Sequence, residues 1–216
     1  MTISYVSSAA NAGTSITLPT HQAGDLIVLF VRYSTVGIPL PLSGWFRAAA
    51  LNASSQPMQV AYKTAASNAE TSGTWTNATQ ILAITYRHAT AYLQLGLSTQ
   101  TNATTATTIT YPANATVADS TWFIGFGSCT SGTTPDVNTN FDLAPSGMTN
   151  RVSQWTVSTG EMTIHDTNSN VASWSSTNRT NDTSVRYNNF VIPILVGATK
   201  STGGFRPVNI RGGADQ

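Results

Sequence analysis

Charge is what this sequence lacks most. Lys, Arg, Asp and Glu supply 9% of its 216 residues and leave a formal net charge of +1, against about 25% charged residues in an ordinary soluble domain. Ten cations against nine anions, with no basic run, give no positive field to hold a nucleic-acid backbone. One cysteine, Cys129, excludes an internal disulfide framework. No apolar run reaches the roughly 18–20 residues of a membrane-spanning helix. The opening MTISYVSSAANAG has neither a basic n-region nor a long apolar h-region, so no secretory signal is expected. Convincing amphipathic helices are missing too.

What is present is Thr, Ser and Asn, about a third of the chain. β-Branched Thr fits a pleated surface and helps no helix. Short β runs recur at 3–6, 14–18, 25–33, 45–50, 58–65, 79–87, 91–98, 107–111, 120–128, 148–155, 161–167 and 186–197, split by Gly, Pro, Asn and Ser. Leu26–Val31, Trp122–Phe126 and Phe190–Val196 are apolar on both phases and read as central strands covered on both faces. Pro193 removes a ladder donor from the last, which predicts a bulge or an edge there.

The elements also repeat in order. TSITLP at 14–19 is echoed by TTITYP at 107–112, PLSGW at 41–45 by APSGM at 144–148, MQVAYK at 58–63 by MTIHDT at 162–167, and SGTW at 72–75 by VASW at 171–174. Each half closes on a long apolar strand. This predicts one all-β domain over residues 1–200, a jelly-roll-like two-sheet sandwich with pseudo-repeated halves of about 1–98 and 99–200. The two Greek keys of any jelly roll produce similar echoes, so duplication and a plain jelly roll both stand at this point. Residues 99–106, TQTNATTA, read as a short polar link.

A search for chemistry yields little. There is no G-x-S-x-G elbow, P-loop or G-x-G-x-x-G. His21, His88 and His165 lack metal-ligand spacing, and neither a metal nor a cofactor is expected. His165 and Asp166 are adjacent, but neighbours on a strand face opposite sides, so they make a poor dyad. Asp166 reads as a turn cap. Cys129 reads as a small buried residue at a strand end. Glu70 and Glu161 fall at non-equivalent places in the two halves, and nothing pairs them for glycoside hydrolysis. Trp45, Trp75 and Trp155 are the candidate stacking rings for a host glycan, with core plugging as the ordinary alternative.

The segments GDLIVLFV, SGW, VAYKTAASNAETSGTWTNATQILAITYR, SGMTNRV and HDTNSNVASWS resemble small virion structural proteins of tailed bacteriophages, over most of 1–198. That resemblance implies a non-enzymatic protein of the virion, made in the host cytoplasm, of the capsid decoration (cement) or minor tail and fibre type. Its partners would be other virion proteins, a major capsid protein or tail proteins, and further copies of itself. No nucleic acid or membrane is implied, and no catalytic residue. The tail fibre or adhesin alternative adds a host glycan. Residues 201–216, STGGFRPVNIRGGADQ, depart from the shared pattern and read as an extended docking arm. In it Phe205, Val208 and Ile210 would anchor, and Arg206 and Arg211 would pair with carboxylates on a neighbouring subunit.

Overall fold

The structure is a computed structural model that describes residues 2–34, 37–52, 57–115, 120–130 and 144–200. The docking arm of 201–216, with Phe205, Arg206, Val208, Ile210 and Arg211, lies outside the described residues. Eleven strands are formed among the described residues. The first five are β1 (Ser4–Asn11), β2 (Leu26–Tyr33), β3 (Phe46–Leu51), β4 (Met58–Thr64) and β5 (Ala78–Arg87), which make one sheet in the order β1-β5-β2-β4-β3. The others are β6 (Ala91–Leu95), β7 (Thr99–Tyr111), β8 (Ser120–Thr130), β9 (Thr149–Thr156), β10 (Gly160–Asp166) and β11 (Thr177–Thr199). They form the second sheet in the order β6-β11-β8-β10-β9, with β7 also on β11. Every pairing is antiparallel.

The protein is therefore an all-β two-sheet sandwich. A jelly roll passes its chain back and forth between sheets. Here the chain completes the first sheet before it starts the second. With β7 in the place of β1, the second sheet repeats the strand order of the first. The register repeats too. Phe30 pairs with Val60 and Leu82, and Phe126 with Ile164 and Phe190. The echoed SGW and SGM stretches make the same turn. Trp45 N donates to the Leu42 carbonyl and Met148 N to the Pro145 carbonyl, both at 2.9 Å. Gly44 (φ 84°) and Gly147 (φ 90°) take the left-handed position that each turn requires.

The inner faces of both sheets meet in one core that includes Leu26, Val28, Phe30, Val60, Leu82, Ile84, Trp122, Ile124, Phe126, Ile164, Phe190, Ile192 and Ile194. Phe30 sits edge-on to Phe126 at 5.4 Å and to Phe190 at 6.2 Å, pairs worth about 0.5–1.5 kcal/mol each beyond their buried area. Polar clamps tie the sheets together. The buried Arg32 guanidinium donates to Gln80 Oε1 (2.9 Å), the Cys129 carbonyl (3.1 Å), the Glu161 carbonyl (3.2 Å), Ser128 Oγ and the Thr159 carbonyl. Burial lowers its pKa to about 10, so it stays charged at neutral pH. A second clamp centres on Asp166, which accepts from Tyr86 Oη (2.9 Å) and Arg151 Nε (2.8 Å). Arg151 also lies 4.3 Å over the Tyr5 ring, and its carbonyl accepts from Ser8 Oγ at 2.8 Å. That ties the β1 and β9 margins together.

The first strand runs on to Asn11 rather than ending at Val6, and the strand expectations differ from the structure more sharply in three further places. Residues 14–18 form no strand; they are bonded to 72–75 instead, through Trp75 N to the Thr14 carbonyl (2.7 Å) and Ile16 N to Ser72 Oγ (3.0 Å). Residues 99–106 are the first part of β7 rather than a link. The last strand begins at Thr177, not 186. Pro193 is interior to β11. Its carbonyl accepts from Gly96 N at 2.9 Å, and N and O of one strand residue point to the same side. Its missing donor thus falls where β6 ends and β7 begins, between Val191, paired to β7, and Ile194, paired to β6, so no ladder bond is interrupted there.

The β7–β11 ribbon is not straight. Thr180 pairs with Thr108 and Val185 with Ala106, so β11 advances five positions while β7 advances two. An irregularity of this kind bends a ribbon. Thr101 Oγ1 reaches the carbonyl of Thr110, nine residues on in the same strand, at 2.7 Å, and Asn189 Nδ2 reaches the same carbonyl at 2.9 Å. The end of the ribbon (108–111 with 177–180) therefore curls back over the outer face of its own sheet.

Candidate functional site

Both outer faces are covered by equivalent pieces of chain: 14–18 with 72–75 over the first sheet, 108–111 with 177–180 over the second. What lies beneath differs. On the first sheet Leu29 stands between Ala61 and Ala83, and Val31 between Gln59 and Ile81. Leu29 is thus flanked by small residues on both sides and Val31 by larger ones. Ile16, Trp45 and Trp75 close over them, with Trp45 edge-on to Trp75 at 5.8 Å and Lys63 Nζ 5.5 Å from the Trp45 ring centre.

On the second sheet the central strand carries Gly125 and Gly127 at the positions of Leu29 and Val31. Gly125 stands between His165 and Val191, and Gly127 between Thr163 and Asn189. A Cβ on Gly125 would lie 2.8 Å from Met148 Sδ and 3.2 Å from Tyr111 Cε1, so glycine is what lets the ribbon sit this low. Tyr111 packs edge-on against His165 at 5.7 Å. Ile109, Tyr111 and Arg179 are buried on the underside of the ribbon, while Thr108, Asn178 and Thr180 on its top are exposed.

The resulting seam is polar. Tyr111, Thr163, His165 and Asn189 are fully buried, yet Tyr111 Oη, Thr163 Oγ1, both His165 ring nitrogens and Asn189 Oδ1 have no hydrogen-bond partner among the described residues. Left dry, each such atom costs about 1–3 kcal/mol. Five would consume the whole 5–15 kcal/mol of stability a domain possesses. Burial, and then Arg179, hold the His165 pKa down to about 3, so the imidazole is neutral at ordinary pH. Burial raises the Tyr111 pKa, and the Thr163 side chain beside it opposes the shift. Burial raises the Cys129 thiol to about 12, so it is no thiolate nucleophile.

The structure separates the other residues singled out in the sequence. His165 faces the ribbon, whereas Asp166 is engaged in the Tyr86–Arg151 clamp; Asp166 also caps its turn by accepting from Asn168 N at 3.0 Å. Glu70 is ion-paired with Lys63, and Glu161 lies on β10 beside Cys129. Trp45 and Trp75, expected as glycan-stacking rings, are only 8% and 2% exposed. Their faces are spent plugging the first outer face, and that corrects the expectation for both. Trp155 is half-buried on β9, with Nε1 unpartnered. Sequence reasoning passed over Gly125, Gly127, Thr163, Tyr111 and Asn189. Aligning GFG with the LFV of β2 in a period of two would have shown them.

The fold defines the class, an antiparallel β-sandwich of two topologically equivalent sheets. No family model, curated protein or solved structure matches the chain. Among the described residues no group of His, Cys, Asp and Glu could hold a metal ion, and no helix is long and apolar enough to cross a membrane.

Proposed function

We propose that this protein is a non-enzymatic structural component of a bacteriophage virion, a decoration or cement protein that stabilises the particle by packing against neighbouring subunits. The observation that carries the reading is the uncharged margin of the sandwich. β1 and β7 (Ser4–Asn11 and Thr99–Tyr111) hold no charged residue over their whole length, and interface cores are depleted in charge. Phe46 on the edge strand β3 is 63% exposed, and Leu97 between β6 and β7 is 87% exposed. The ionisable groups support the same reading, because Asp25, Arg87, Asp166, Arg151, Lys63 and Glu70 are paired within the fold. The sequence resemblance to phage structural proteins supplies the virion. Copies repeated by symmetry would lock their neighbours through many weak contacts rather than one tight site.

The experiment is deletion of the gene followed by challenge of the particles with heat and low salt. Particles that lose their contents earlier than wild type are the expected result; particles of unchanged resistance overturn the cement role. A tail-adhesin reading keeps one observation in its favour, the half-buried Trp155 on β9. Binding on a host-glycan array that Trp155→Ala abolishes would favour it.

A further inference from the structure

We propose that the seam between the curled β7–β11 ribbon and the second sheet is a hydration site, where ordered water bridges Tyr111, Thr163, His165 and Asn189. The atoms belong to one place. Thr163 and Asn189 flank Gly127, His165 flanks Gly125, and Tyr111 lies over Gly125 against the His165 ring. At Gly125 the missing side chain is replaced by Met148 Sδ and the Tyr111 ring, which brings the Tyr111 side chain down among the polar groups of the sheet.

Water fits the chemistry of the seam. A hydroxyl and a neutral imidazole each present a donor and an acceptor, and an amide oxygen presents an acceptor alone. A water molecule supplies both kinds and serves two to four such partners in buried sites. A cation would not suit a seam that already holds Arg179 within electrostatic reach of both His165 and Tyr111. The seam over the first sheet is mainly apolar, since Leu29, Val31, Ala61, Ile81 and Ala83 meet Ile16 and the two tryptophans, and the buried Gln59 beside Val31 accepts from Arg47 Nε at 3.0 Å. The buried polar atoms are thus clustered over the second sheet, whereas Thr85 Oγ1 is an isolated case on the first.

The test uses the intact protein. Tyr111→Phe and Thr163→Val each delete one hydroxyl at nearly constant shape. In a hydrated seam each variant lowers the folding equilibrium constant about two- to tenfold, the size of one net hydrogen bond. In a dry seam, deleting an unpartnered hydroxyl leaves the constant unchanged or raises it. The second measurement is made on the unaltered protein: nuclear Overhauser transfer from long-lived water to the ring protons of Tyr111 and His165 is expected. Absence of that transfer, or variants as stable as the parent, overturns the proposal. High-resolution density that resolves an organic molecule in the seam overturns it as well.

Discussion

The two outer faces of this sandwich share strand order, register and the pieces of chain that cover them, yet they are packed on opposite plans. The first puts Leu29 and Val31 on its central strand and is sealed by Trp45 and Trp75. The second puts Gly125 and Gly127 there and is sealed by Tyr111 over Thr163, His165 and Asn189. Topology therefore did not dictate packing. What the duplicated path fixes is where a cover lands, and the residues at four or five positions decide whether it lands on hydrocarbon or on polar atoms. An apolar seal gains from every contact and asks for few hydrogen bonds. A polar seal depends on complete hydrogen bonding.

That contrast can be broken from either side. The largest effect is expected from Trp75→Ala, which empties the first cover. A loss of about 3–5 kcal/mol in urea-induced unfolding is expected, with amide exchange accelerated over 14–18 and 72–75. Next comes Gly125→Ala in the second. The new methyl meets Met148 and the Tyr111 ring, and overpacking of this kind costs about 1–3 kcal/mol. Faster amide exchange in 108–111 and 177–180, with the first cover unchanged, is the accompanying signature.

Acid distinguishes the two faces more gently. The unfolded chain protonates His165 near its ordinary 6.5, while the folded chain resists until about 3. The unfolded state therefore binds more protons in that window, and stability falls as pH drops from 6.5 towards 3, by no more than about 1.4 kcal/mol per pH unit. Between pH 6.5 and 5, above the carboxylate range, the slope of the unfolding midpoint against pH should flatten in His165→Leu. The smallest effect is expected at the rim of the first cover. Lys63→Met removes the Glu70 ion pair, which is partly exposed, and should cost less than about 1 kcal/mol. Calorimetry in low and high salt would measure it.

Much of the frame was legible in the sequence. The runs Leu26–Val31, Trp122–Phe126 and Phe190–Val196 are central strands because apolar residues on both phases need two covers. The SGW and SGM echo marks a turn because only glycine takes its third position without strain. The first part of β7 was not legible. TQTNATTA has no apolar alternation, since that stretch lies at the sheet margin, so its strand character comes from its partner β11. The irregular ribbon, in which β11 spends extra residues between Thr180 and Val185, leaves no compositional mark. The polar seam hides for another reason. Gly125 and Gly127 read as loop-like flexibility, although they are strand residues whose missing side chains make room for another element. Tryptophan misled in the opposite direction, because a large ring that suits a sugar also suits a core.

Just past the end of β11, Lys200 fastens it: its N donates to the Thr90 carbonyl at 2.6 Å and its Nζ to the His88 carbonyl at 2.8 Å. β11 is also the longest strand, laced to β8 on one side and to β7 and β6 on the other. Tension applied to the chain beyond Lys200 would run along the strand axis, so its ladder bonds are loaded together in shear rather than unzipped one after another. The C-terminal end of β11 is thus a mechanically strong attachment point, in which a pull along the strand is resisted by a whole sheet before any strand is released.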